Sequence, residues 1–235
     1  NQIVRLSPSG MATKANLITL APLYWWEEFC PGAKGGINTD SATSYLIESG
    51  IKSGIHNPDN ARGRGCWIDN KGNDVVMHCG SYLVVNGEAK TFAQYRTKYQ
   101  YEAATDLEIT LGTQATNKEA SKFLTLCNSL SWERPLYGYL LAGWCAIAPF
   151  CGALKWRPHI WITGAAGTGK SWVFDNIVRK TLGATVLAIQ SSSTSAGIRQ
   201  WMGADALPIM FDEAEGETKN DQARMQDVLT LMRGS

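Results

Sequence analysis

Eight consecutive residues, Gly164-Ala165-Ala166-Gly167-Thr168-Gly169-Lys170-Ser171, constrain this chain more than any other stretch. Their pattern, G-x-x-x-x-G-K-[ST], works between a buried strand and a helix. The flanks supply both. His159-Ile160-Trp161-Ile162-Thr163 reads as a short strand, and Trp172 to Lys180 reads as a helix. Glycines here let successive backbone N–H groups curl around an anion, where a Cβ would obstruct them. The following helix adds the partial positive charge of its N-terminus. In such a loop Lys170 reaches the β- and γ-phosphates of a nucleoside triphosphate, and the Ser171 hydroxyl ligates Mg2+. The cradle itself is Gly164, Ala165, Ala166, Gly167, Thr168 and Gly169.

Further along, Pro208-Ile209-Met210-Phe211-Asp212-Glu213 is an apolar strand that ends in two acids. Alone, such a run is common. After a phosphate loop it fits the second half of a triphosphatase site. Asp212 is expected to hold the Mg2+ shell, and Glu213 to polarise the water that attacks the γ-phosphate. An acidic turn is the competing interpretation, because Glu215, Glu217 and Asp221 follow closely. Between the two elements, Thr185 to Gln190 fits a second core strand, and Ala196 to Met202 a short helix stopped by Gly203.

Composition narrows the remaining choices. A chain of 235 residues forms one large domain or two modest ones, and 44% apolar with 18% charged residues suits a substantial core. The net charge of +1 excludes a global positive field, so any nucleic-acid contact needs a local basic surface. Cys30, Cys66, Cys79, Cys127, Cys145 and Cys151 are scattered without C-x-x-C spacing, which fits reduced thiols rather than a disulfide framework. Cys66, His78 and Cys79 lack a fourth partner and the spacing of a zinc site. Leu136 to Leu154 carries no charge and is nearly long enough to cross a bilayer. Gly138, Gly143, Pro149 and Gly152 interrupt it, so the expectation is a buried helix ending near Pro149 and no membrane contact.

The rest of the chain divides by texture. Asn16 to Cys30 reads as one helix, and Asp40 to Ser49 as another, capped by Asp40 and stopped by Gly50. Cys66 to Ile68 and Val75 to Cys79 read as a hairpin, Ser81 to Val85 as a strand entering the tight turn Asn86-Gly87, and Phe92 to Tyr101 as a continuation of that sheet. Thr116 and Glu119 have capping-box spacing ahead of the apolar face Ala120, Phe123, Leu124, Cys127 and Leu130.

With these elements placed, the chain resembles the helicase part of phage and prophage primase-helicases, a family similar to superfamily-3 helicases. The resemblance rests on Arg157-Pro158-His159-Ile160-Trp161-Ile162-Thr163-Gly164, on Ala196-Gly197-Ile198-Arg199-Gln200, and on the run from Asp205 to Glu215. Leu130 to Pro135 and Gly143-Trp144-Cys145 look like the family's helical lead-in. Arg62-Gly63-Arg64-Gly65-Cys66-Trp67 looks like its accessory region. The resemblance implies an α/β fold: a P-loop ATPase core over 157–235, incomplete at its C-terminus, after a helical lead-in over 117–156 and a smaller mixed α+β accessory domain over 1–116. It implies ATP and Mg2+ as cofactors, single-stranded or forked DNA as partner, and a homo-oligomeric ring, a hexamer, in the cytoplasm of a bacterial or phage-infected cell. Lys170 and Glu213 would be the catalytic residues.

A complete enzyme of this kind carries a sensor strand and an arginine finger after the acidic pair, whereas only the helix-like Gln222 to Met232 follows here. The expectation is therefore the ATP-binding part of a longer helicase. A nucleotide-binding regulator, or another P-loop motor, shares the same two elements. Three places invite a nucleic-acid interpretation. Tyr95-Arg96-Thr97-Lys98-Tyr99-Gln100-Tyr101 alternates aromatic and basic residues, although a strand with its tyrosines packed inward explains it better than a base-stacking platform. Arg62 and Arg64 either touch DNA or sit in a solvated loop. Arg199 and Gln200 fit a solvated helix face better than a phosphate contact.

Overall fold

Residues 4–233 are described by a computed structural model, apart from 5, 8, 12, 110, 111, 113, 190–192 and 212–218. Contacts divide the chain into two units, 1–60 and 61–235. The expected acidic pair Asp212-Glu213 lies outside the described residues, as do Gln190 to Ser192, Glu215 and Glu217.

Pro22 shapes the first unit. It forces Ala21 into extended backbone (φ −151°, ψ 151°), so the expected single helix becomes two: α1 (Lys14–Leu20) and α2 (Leu23–Phe29). The next helix, α3 (Thr39–Ser53), starts from Asn38, whose side-chain oxygen accepts the Ser41 N–H at 3.1 Å. Asp40 is thus inside the first turn rather than the cap. Gly50 is also internal, and the stop is Gly54 at φ 81°. Leu17, Trp26, Cys30 and Ala42 form the core of this unit, and the Trp26 indole donates to the Leu17 carbonyl at 2.7 Å.

The second unit opens with β1 (Ala61–Arg62) and then an antiparallel meander: β2 (Gly65–Asp69), β3 (Asp74–His78), β4 (Leu83–Val85) and β5 (Glu88–Lys90). Trp67 pairs with Val76 and Val84 with Ala89. Asn86 (φ 51°) and Gly87 (φ 91°) make the β4–β5 turn, where both central residues need positive φ. The segment after β5 does not continue this sheet as expected. Only β6 (Gln100–Tyr101) pairs, in parallel with β1. The intervening residues instead follow their side chains: Tyr95, Thr97 and Tyr99 turn towards the sheet, and Tyr95 and Thr97 hydrogen-bond the Asp74 and Asp69 carboxylates.

Two helices follow, α4 (Asn117–Asn128) and α5 (Leu136–Ile147), the latter running into a 3-10 turn (Ala148–Ala153). The capping box forms: the Glu119 N–H donates to Thr116 Oγ1, and the Thr116 N–H to the Glu119 carboxylate at 2.8 Å. Gly138 lets α5 approach the end of α4, because a Cβ there would strike Asn128. The apolar stretch is not buried all round. Gly138, Leu141, Ala142 and Cys145 face the core, whereas Leu136, Tyr139, Leu140 and Ile147 are exposed. By length and composition alone, the helical run Leu136–Ala153 would suffice to cross a bilayer.

The last part of the unit is a parallel β–α–β arrangement. One continuous helical run comprises α6 (Lys170–Val173), a π-helical segment (Phe174–Val178) and α7 (Arg179–Leu182). Strand β7 (Leu187–Ile189) then pairs in parallel with β8 (Ile209–Phe211), Leu187 opposite Ile209, across α8 (Ser195–Met202). The final helix is α9 (Lys219–Arg233). Both faces of the parallel pair are covered, as such sheets require. Met210 joins a cluster with Leu141, Cys145, Val173, Ile177 and Leu182, while Ile189 packs with Ile198 and Val228. Each large aliphatic side chain fully buried here stabilises by roughly 1.5–3 kcal/mol. The molecule is therefore a mixed α/β protein.

The antiparallel sheet meets this layer at one seam. The Gly63 N–H donates to the Ala204 carbonyl (2.8 Å), the Ala206 N–H donates to the Arg64 carbonyl (2.7 Å), and Gly65 bridges Ala206. Gly65 (φ 117°) is required twice over, since L side chains avoid that backbone and a Cβ would run into the Ala206 carbonyl.

Candidate phosphate loop

The loop at 164–171 is approached by a segment that behaves differently from the expected strand. Residues 157–165 carry no assigned strand, and 159–163 make no backbone pairing with another described strand. Strand assignment needs a neighbour's backbone, and only the side-chain half of the pattern is met. Ile160 and Ile162 pack on the α5–α7 core, whereas His159, Trp161 and Thr163 are exposed. The Trp144 indole of α5 donates to the Pro158 carbonyl at 3.0 Å, which anchors the segment to the helix beneath it.

The loop then closes on itself. Thr168 Oγ1 donates to the Ala165 carbonyl (2.8 Å), and the Lys170 ammonium donates to the carbonyls of Gly164 (2.6 Å) and Ala165 (3.1 Å). Of the three N–H donors on Nζ, two are thus used and one is left for an anion. Gly167 (φ 76°) and Gly169 (φ 91°) take backbone that only glycine adopts readily, and a Cβ on Gly164 would come within 2.7 Å of Thr168 Oγ1. The first helical hydrogen bond runs from the Val173 N–H to the Gly169 carbonyl at 3.0 Å. The N–H groups of Gly167, Gly169, Lys170 and Ser171 make no hydrogen bond within the protein. Gly164 to Gly169, and Ser171, are exposed. Free donors, a tethered ammonium and a helix start converge on one exposed turn, a combination that favours an anion.

Behind the loop, Val173, Ile177, Val178 and Leu182 bury one side of the helical run. The acids expected to complete the site, Asp212 and Glu213, follow β8 directly in sequence but lie outside the described residues. Among the described residues no cluster of three or more His, Cys, Asp or Glu could hold a metal ion.

Two of the basic residues considered for nucleic acid, Arg62 and Arg64, are engaged within the fold. Arg62 is buried; its guanidinium lies 3.3 Å from the centroid of Tyr99, and Nη1 donates to the Ile68 carbonyl at 2.9 Å. Arg64 is half-buried and paired: Nε and Nη2 donate to Asp205 Oδ2 at 3.0 and 2.6 Å, and its backbone N–H donates to Oδ1. Tyr101 is buried, and its hydroxyl donates to Asp69 at 3.1 Å; burial above all, with the Asp69 charge adding, raises the phenol well above its ordinary range. Arg199 and Gln200 are exposed on α8. The six cysteines are free and buried, and burial pushes the Cys66 thiol up to about 11 and the Cys145 thiol to about 12, so neither is a ready nucleophile.

Two positioning residues were not singled out from the sequence as such. Asp205 holds Arg64 across the seam, and Trp144 pins the approach to the loop. Both stand inside segments that carried the family resemblance, which was their only visible signal. A scan against protein-family models and searches of curated proteins and of solved structures find no match for this chain.

Proposed function

We propose that the loop 164–171 binds ATP with Mg2+, and that the chain is the ATP-binding part of a phage-type DNA helicase. The observation that carries this is the loop itself: an ammonium held by two carbonyls beside free backbone N–H groups, those of Gly167, Gly169, Lys170 and Ser171 among them, at the start of a helix packed on the core. In this reading Gly164 to Gly169 cradle the phosphates, Lys170 neutralises the β- and γ-phosphates, and Ser171 ligates Mg2+. Asp212 completes the Mg2+ shell and Glu213 orients the attacking water. Single-stranded or forked DNA is the proposed partner of a homo-oligomeric ring in the cytoplasm. In this reading neither Arg62, which is buried, nor Arg64, which pairs with Asp205, is assigned a DNA contact.

Calorimetric titration with ATP and Mg2+ tests the first step. Binding by the wild-type chain should weaken on the order of 100-fold in Lys170→Ala, the cost of one or two charge-assisted hydrogen bonds. Equal affinity in both would end the proposal. Glu213→Gln should keep nucleotide affinity and lose turnover; retained turnover would remove Glu213 from its role.

A further inference from the structure

His78 ends β3, fully buried, and neither ring nitrogen makes a hydrogen bond. Its ring stacks on Tyr101 with centroids 5.7 Å apart and lies 5.5 Å from Phe92. A neutral imidazole fits this aromatic pocket; an imidazolium brings a full charge into it, a burial cost that its surroundings offset only in part. The position matters as much as the pocket. His78 pairs with Gly65 in the sheet, and Gly65 is the residue that bridges Ala206 at the seam.

The charged groups that face His78 come from both sides of that seam. Asp205, from the segment leading into β8, favours the charged ring; Arg64, beside Gly65, opposes it. These two pair with each other at 2.6 Å, and Asp205 favours the charged ring more than Arg64 opposes it. The backbones of His78 itself and of Glu102 favour the charged form, while Phe92 and Tyr101 contribute no charge. Burial outweighs all of these and pushes the imidazole below its ordinary value of 6.5.

We propose that His78 is an acid-operated latch on the seam: seated when neutral, it unseats the β2–β3 hairpin from Ala204–Ala206 when protonated. The sign follows from linkage. A histidine depressed in the fold is protonated first in the unfolded chain. Stability is therefore complete above about pH 6.5 and falls as the pH drops towards the depressed value, where it levels off. Within that window the unfolding constant rises by up to about tenfold per pH unit. The latch is independent of whether the loop takes ATP.

Urea unfolding of the whole chain between about pH 7.5 and 5.5 tests it, a range above the titration of ordinary carboxylates. The wild-type midpoint should fall with pH, whereas His78→Phe and His78→Leu should have nearly flat midpoints. His56 and His159, both exposed, remain in these variants as internal controls. Hydrogen exchange on the wild-type chain needs no variant to fold. After correction for intrinsic rates, the Gly63 and Ala206 amides should lose protection at the lower pH. Equal pH dependence in wild type and a folded variant, or unchanged protection at both amides, would overturn the proposal.

Discussion

The antiparallel sheet and the loop at 164–171 spend their polar groups in opposite ways. Around Asp69 the polar side chains turn to one another: Thr97 and Tyr101 donate their hydroxyls to its carboxylate, Asn70 donates its N–H, and Arg62 is held between Tyr99, the Ile68 carbonyl and the Tyr101 hydroxyl. At 164–171 the reverse holds. All the residues but Lys170 are exposed, every backbone N–H except that of Thr168 has no partner, and Lys170 keeps a spare donor. Arginine and tyrosine in the sequence look more like a binding surface than Gly-Ala-Ala-Gly does. Satisfied polarity builds structure, whereas unsatisfied, exposed polarity is what remains available to a ligand.

The contrast predicts a crossed result, and its largest effects come from one residue on each side. Arg62→Ala should cost about 3 kcal/mol in urea unfolding, because it strands buried partners and opens the slot between Tyr99 and Trp67. Its affinity for ATP should match wild type. Lys170→Ala should do the opposite, losing ATP while staying within about 1 kcal/mol of wild-type stability, since only exposed hydrogen bonds disappear. If Arg62→Ala lost affinity without losing stability, the arginine would belong to a site and the comparison would fail.

A somewhat smaller loss is expected at the seam. Gly65→Ala must place a methyl on backbone at φ 117° and against the Ala206 carbonyl, at a cost of about 2–3 kcal/mol. Differential scanning calorimetry checks the size, and hydrogen exchange at the Ala206 amide checks the place. Gly87→Ala, at φ 91° but with open space around its Cβ, should cost less. Equal losses would mean that backbone strain alone matters and that the seam contributes little.

These positions also explain what could be read beforehand. The hairpin at Cys66 to Cys79, the Asn86-Gly87 turn, the Thr116 cap and the helix after the loop follow from local chemistry, and each is where the pattern placed it. Nearer the N-terminus, Ala21-Pro22 carried a break that the apolar run around it concealed. The segment at 159–163 shows the limit of alternation: inward Ile160 and Ile162 fix a face, but pairing depends on a neighbour remote in sequence. The partners of Arg62 and Arg64 were illegible for the same reason. Asp205 lies far along the chain, and a motif does not reveal which of its charges is already neutralised at home.

The smallest effect comes from the cap of α4, which borders neither the Asp69 network nor the loop. Thr116→Ala removes the side-chain acceptor for the Glu119 N–H and should cost about 1 kcal/mol, as helix caps usually do. Its pH dependence separates it from the seam. The Thr116 backbone N–H, then its hydroxyl, hold the Glu119 carboxyl below its ordinary value of 4.5. A depressed acid stabilises the fold above its unfolded value and loses that contribution as pH falls through the folded one. The cap therefore weakens only below about pH 4.5, well below the pH near 6.5 at which the His78 contribution begins to fall. Urea midpoints of Thr116→Ala and wild type should run parallel from neutral pH down to about 5 and draw closer without meeting below 4.5, because only the hydroxyl-to-carboxylate bond is both lost in the variant and titrated. If they diverged near 6.5 instead, the cap and the seam would be one cooperative unit, and the boundary between the satisfied sheet and its helical neighbours would vanish.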